Sequence, residues 1–215
     1  RVINFQENLI LLRKVNLFTY NFDFSIDIIA NFKTLKFHQI KPLSMKWENT
    51  ALIVVDVQIG LFQRQTPIYR EKKLLENINK LEKYARSVNI PIIYIQHANN
   101  TTLIEGSDKW QLHPQLTKHE NDLLVHKRYP NTFKKTNFQK ELETRNITQL
   151  IITGTLTDNC VGATCIGAKE VGYEVILVTD AHSTFTEPAH EIIEGWHNKL
   201  EKLEVILKST EELLL

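Results

Sequence analysis

The chain has 215 residues, 42% hydrophobic and 24% charged, with a net charge of +1 at pH 7. That length suits one domain plus an extension, and the balanced charge gives no electrostatic case for binding nucleic acid or an anionic membrane. No apolar run reaches the ~20 residues of a membrane span, and two cysteines are too few for a disulfide-framed secreted scaffold.

Residues 1–44 hold six of the ten Phe and none of the seven Gly. They show neither helical nor alternating periodicity, and "LILL" followed by Arg13 and Lys14 does not read as a secretory core. The single Met, Met45, stands immediately before "KWENTALIVVDVQ", where an organised pattern begins. Residues 45–215 are therefore expected to form the domain. Met45 is the expected biological start, and residues 1–44 a non-native or loosely attached extension; a genuine arm that packs on a partner is the rival reading.

From Met45 onward, strands and helices alternate. "ALIVVD" reads as a strand buried on both faces. Residues 68–88 have helical periodicity, "IPIIYIQ" is a second strand and "DLLVHK" a third. "FQKELETRN" is a helix, "TQLIITG" a fourth strand, and "CVGATCIGAKEVG" a helix stopped by Gly172. "YEVILVTDA" is a fifth strand, "PAHEIIEGWHNKL" a helix opened by Pro188, and "LEVILKS" a sixth strand. This order predicts a three-layer α/β/α fold around a six-stranded parallel sheet.

In such sheets, ligands bind beyond the carboxyl ends of the strands. Asp56 ends the first strand, Lys127 ends the third, and Cys160 follows the fourth at a helix start. The helix macrodipole and a nearby ammonium favour a thiolate, and a carboxylate can take the thiol proton. Asp, Lys and Cys thus make a general base, an electrostatic stabiliser and a nucleophile. Cys165, among Ala163, Ile166 and Ala168, is expected to be packed and inert. A disulfide between the two cysteines is not expected, because a spacing of five on a helix points them apart. Taken singly, Asp56 could cap a turn, Lys127 could be a solvated surface charge, and Cys160 a small buried apolar residue.

The stretches "ALIVVDVQIGLF", "VHKRYPNTF" and "GTLTDNCVGATCIGAKEVGYEVILVTDAHST" carry these three residues. Together, in this order, they resemble the isochorismatase-like cysteine hydrolases, which include nicotinamidases, over Asn49 to about Leu207. The resemblance implies a Rossmann-like strand order and amide (C–N) hydrolysis of a small molecule through an acyl-enzyme. It also implies a non-proline cis peptide at Thr155–Leu156, an oxyanion hole from the backbone N–H groups of Leu156 and Cys160, and a homo-oligomer. A cytoplasmic location is expected.

Gln58, two residues after Asp56, either orients the base or lines the pocket. Phe62 is either core or a cover over the substrate, while Trp110 and His113, in a long loop, are expected to line the substrate site or a subunit contact. Nicotinamidases of the family hold a divalent ion through an Asp-x-His motif after strand two. Here that stretch reads "IQHANN", so His97 lacks its Asp, and neither a metal nor another cofactor is expected. The departure weakens nicotinamidase as the specific activity. The retained cysteine favours amide over vinyl-ether cleavage. Remaining rivals are hydrolysis of cyclic amides or N-carbamoyl compounds and a silent binding or scaffold member. A dinucleotide binder fails for want of G-x-G-x-x-G after the first strand.

Overall fold

A computed structural model describes residues 47–215. The proposed 1–44 extension and Met45 lie outside the described residues. Six strands form one parallel sheet: β1 (Thr50–Val55), β2 (Ile92–His97), β3 (Leu123–Lys127), β4 (Gln149–Thr155), β5 (Glu174–Ser183) and β6 (Ile206–Lys208). Their spatial order is β3-β2-β1-β4-β5-β6. The chain builds outward from β1 to β3, returns to place β4 on the other side of β1, and builds outward again. The order therefore reverses between β1 and β4, which opens a crevice at their carboxyl ends.

Alternation along the strands divides the core in two. Ala51, Ile53 and Val55 of β1 face one way, with Phe138 and Leu142 of α3 (Phe138–Glu143), Cys165 and Ala168 of α4 (Gly162–Glu170), and Leu200 of α5 (Ala189–Glu201). Leu52 and Val54 face the other way, with Leu74, Leu75, Ile78, Leu81 and Ala85 of α2 (Glu71–Ser87). Those five positions recur at helical spacing along a single stripe of α2, which explains why it lies along the sheet. Leu213 of the short C-terminal helix α6 (Thr210–Leu214) joins the same side. A capping box starts α6: the Ser209 side chain accepts from the Glu212 N–H, and the Glu212 carboxylate accepts from the Ser209 N–H.

The strands and the four longer helices follow the predicted order. The sequence pattern did not reveal two short helices, α1 (Ile59–Phe62) and α6, or a single 3₁₀ turn at Asp108–Trp110. At these lengths the apolar period completes barely one turn, too little to register. Gly172 stops α4 with φ +89°, in the left-handed region glycine adopts freely.

Gly154 is held to glycine by both its backbone angle and its surroundings. It has φ +115°, and a Cβ there would lie 2.1 Å from the Val55 carbonyl oxygen. The pairing of β4 with β5 shifts register between Ile152 and Gly154, so a bulge bends β4 where it leaves the sheet.

Candidate active site

Asp56 leaves β1 with a left-handed backbone, φ 48°. Three hydrogen bonds pin it there: its N–H donates to Ile95 O (3.0 Å), and its carbonyl accepts from Gln58 N–H (2.9 Å) and the Thr155 hydroxyl (2.7 Å). Lys127 ends β3. Its ammonium lies 2.7 Å from Asp56 Oδ2 and donates to the carbonyls of Tyr129 (3.3 Å) and Pro130 (3.1 Å). Exposures of 1% for Asp56, 2% for Lys127 and 7% for Cys160 place the charged pair and the thiol out of bulk water.

Cys160 sits in a wide π-type turn, Thr157–Val161, that leads into α4. Leu156 O accepts from both Asn159 N–H (3.1 Å) and Val161 N–H (3.0 Å), closing the turn. The Thr155–Leu156 peptide bond is cis, as is Glu187–Pro188. The turn is anchored from behind by a buried chain of polar groups. Thr157 Oγ1 lies 2.8 Å from His182 Nδ1, His182 Nε2 lies 2.8 Å from His197 Nε2, and His197 Nδ1 lies 3.5 Å from a Glu194 carboxylate oxygen. Two facing nitrogens share one proton. The arrangement that suits the Glu194 end has His197 Nδ1–H toward the carboxylate, His182 Nε2–H toward His197, and the Thr157 hydroxyl donating to His182. Burial, and then the neighbouring His197, lowers the His182 pKa to about 3, so it stays neutral.

The electrostatics change one expectation. The sequence predicts a Cys160 thiolate favoured by helix terminus and lysine. Burial first, and then the Asp56 charge, instead push the Cys160 thiol up, and Lys127 only partly opposes them. Burial also pulls on Lys127, but Asp56 outweighs it and its pKa is raised, so the ammonium persists. The resting site is an ion pair beside a neutral thiol. Cys165, wholly buried, is likewise held as a thiol by burial.

Sequence reasoning set His97 aside as a lone histidine. The structure brings it to the site. It ends β2 opposite Lys127, and one ring nitrogen lies within 4.8 Å of ligand atoms of both Asp56 and Cys160. Its position at the carboxyl end of a strand, the criterion that singled out Asp56 and Lys127, was the available signal. Burial first lowers its pKa, against the pull of Asp56, so the ring is neutral.

Gln58 is fully buried, and its amide is committed to backbone. Nε2 donates to His97 O (3.0 Å) and Trp110 O (2.6 Å), and Oε1 accepts from His97 N–H (2.9 Å). Gln96 also donates to Trp110 O (2.8 Å), and an antiparallel bridge joins Gln58 to Leu112. The long loop is thereby drawn along the segment after Asp56. Within it the His113 ring lies 4.7 Å from that of Phe62, and Trp110 packs edge-on against His126 at 4.9 Å. Phe62, Trp110 and His113 thus gather around one segment, each half-buried.

Comparison with known proteins agrees with this architecture. Residues 50–193 match the isochorismatase domain model, and the chain belongs to that family, the isochorismatase-like hydrolases. It is 25% identical over 177 residues to the uncharacterised isochorismatase family protein YddQ of Bacillus subtilis, covering 77% of this chain and 98% of that protein. It is 28% identical over 141 residues to streptothricin hydrolase of Streptomyces noursei, covering 65% of this chain but 51% of that longer protein. A crystal structure of an isochorismatase from Pseudomonas putida superposes with a TM-score of 0.72 at 25% identity, over 77% of this chain and 90% of that one. Among the described residues no helix is long and apolar enough to cross a membrane.

Proposed function

We propose that the chain is a cysteine hydrolase that cleaves an amide C–N bond of a small molecule through an acyl-enzyme, with Asp56, Lys127 and Cys160 as its catalytic residues. The observation that carries this reading is the buried Asp56–Lys127 pair beside the Cys160 thiol, at the point where the strand order reverses. Asp56 takes the thiol proton as Sγ attacks the carbonyl carbon, so the thiolate forms only as it is consumed. The oxyanion of the tetrahedral intermediate is held by the N–H groups of Leu156 and Cys160, and the Lys127 charge steadies the anionic cluster. Collapse breaks the C–N bond. The leaving amine departs with the proton from Asp56, leaving a thioester on Cys160. Asp56 then deprotonates a water that attacks the thioester, releasing the acid and regenerating the thiol.

Phe62, Trp110 and His113 are assigned to the substrate's surroundings, and Gln58 to positioning them, since its amide is spent on the backbone. Cyclic amides and N-carbamoyl compounds would use the same nucleophile, and streptothricin hydrolase widens the substrate classes worth testing. A cytoplasmic setting fits two free cysteines. A homo-oligomer, in line with the family resemblance, is checked by light scattering.

The deciding experiment is intact-protein mass spectrometry after exposure to a panel of primary amides, lactams and N-carbamoyl compounds. An acyl adduct that maps to Cys160 is expected. An adduct on Cys165 alone would refute the assignment, and the absence of any adduct or turnover across the panel would favour a silent binding member.

A further inference from the structure

Asp56, His97 and Cys160 each present one ligand atom, and the three atoms lie within 4.8 Å of one another. We propose that these three side chains form a binding site for a thiophilic divalent cation, zinc above all, and that the ion reversibly blocks the nucleophile. This is not the Asp-x-His arrangement sought in the sequence. It arises from residues at the ends of three different elements: β1, β2 and the turn after β4.

Several features favour an ion here. The donors are a thiol sulfur, an imidazole nitrogen and a carboxylate oxygen, a set that suits zinc and not magnesium or calcium, which take oxygen. Zinc holds sulfur at roughly 2.3 Å and nitrogen or oxygen at roughly 2.0–2.2 Å, so three ligands within 4.8 Å need close by only about an ångström. Asp56 is 99% shielded, yet Oδ1 has no hydrogen-bond partner among the described residues, and neither has the buried His97 Nδ1. Buried polar atoms are normally partnered, so two orphans in one cluster point to a group they receive. The backbones are already fixed, His97 by both ends of the Gln58 amide and Asp56 by Ile95 and Thr155. Such outer contacts orient first ligands in metal sites.

Two features keep the ion from being permanent. Among the described residues only three protein ligands are present, which leaves the fourth position to water. The Lys127 ammonium, 2.7 Å from Asp56 Oδ2, repels a dication. Binding converts Cys–SH and Zn²⁺ to Cys–S–Zn⁺ and a released proton, so it strengthens as pH rises. The site is thus a stop on the enzyme, whereas a structural zinc would have closed coordination.

The block of turnover rests on the proposed function; the binding does not. Metal-free protein is titrated with zinc by calorimetry in two buffers of different ionisation heat, and with cobalt while the near-ultraviolet absorbance is followed. One ion per chain, a proton released, and a thiolate-to-cobalt charge-transfer band are expected, with no heat from magnesium. His97→Asn should weaken zinc at least about tenfold. Cys160→Ser should abolish the band, and Cys165→Ala should keep it. Zinc should raise the melting temperature of the parent protein and not that of Cys160→Ser, which reads the site even where one variant folds poorly. A band that survives Cys160→Ser, or zinc affinity unchanged in both His97→Asn and Cys160→Ser, overturns the site. One bound zinc without acyl adducts from any amide would leave the site standing and sink the hydrolase reading. Acyl adducts forming equally fast with saturating zinc would overturn the block alone.

Discussion

Two carboxylates among the described residues are buried almost completely, and they are treated in opposite ways. Glu82, 0% exposed on α2, has every lone pair it needs occupied. Oε1 accepts from the Tyr94 hydroxyl at 2.7 Å, and Oε2 accepts from Thr117 N–H at 3.0 Å and also from the Thr117 hydroxyl. Nearby, Arg86 grips Asp122 through both guanidinium nitrogens at 2.8 Å and donates to Thr117 O at 2.6 Å. This group ties the far end of the β2–β3 loop to α2. Asp56, 1% exposed, has one cation on Oδ2 and nothing on Oδ1. A satisfied buried carboxylate holds structure together; one left short of partners is available to a proton, a substrate or an ion. The contrast separates a fastening from a carboxylate left open by inventory of hydrogen bonds alone.

The sharpest way to break the contrast is to neutralise each acid in turn. Asp56→Asn is expected to lower turnover of the best amide about 10³-fold, in the range for loss of a general base. Glu82→Gln should leave the rate per folded molecule within about twofold. Comparable losses from both would erase the distinction.

Lys127→Met tests the other half of the pair. It strands a buried charge, so a loss of about 3–5 kcal/mol is expected, read as a melting temperature lower by on the order of 10 °C. A variant as stable as the parent would mean that Asp56 does not depend on its cation.

Glu82→Gln should cost about 1–3 kcal/mol, because the amide cannot accept from all three of its donors. Thermal unfolding should shift by several degrees. No shift would show that the loop is held elsewhere, with Arg86 and Asp122 the first alternative.

The smallest effect concerns the histidine chain behind Cys160. Folded His182 has a pKa near 3 and an unfolded histidine one near 6.5. The unfolded chain therefore binds more protons below pH 6.5, and stability falls as pH falls through that window. Between pH 7 and pH 6 the loss from this group is on the order of 0.7 kcal/mol, a shift of about 1–3 °C. His182→Asn should flatten that slope. A slope that is unchanged assigns the acid sensitivity to other groups, His97 and His197 among them, whose pKa values are also lowered by burial.

The fold was readable because each strand is a short apolar run and each long helix carries a clear stripe. β1 is buried at all six positions, the pattern of a central parallel strand. Asp56, Lys127 and Cys160 were legible because each follows or ends an element at one sheet edge. His97 satisfied the same rule, but its role was weighed by neighbours in sequence, while its neighbours in space come from β1 and the turn after β4. Gln58 lay on the expected segment, yet its partners, 39 and 52 residues away, cannot be inferred from spacing. The direction of the Cys160 thiol's shift was missed for another reason. Helix terminus and lysine are visible in sequence, whereas the depth of burial that outweighs them is a property of the packed chain.

Gly154 carries a consequence for heredity. With a Cβ placed 2.1 Å from a carbonyl oxygen, no other residue fits without moving β1 or β4, and Asp56 and Cys160 follow those two strands. Every missense change to a glycine codon adds a Cβ. A saturation library selected for function should therefore leave the Gly154 column empty of every alternative, alanine included, while Gly195, where a Cβ meets nothing within 4 Å and the backbone angle is ordinary, accepts changes. A position with no side chain would then be read by selection as strictly as the proposed nucleophile.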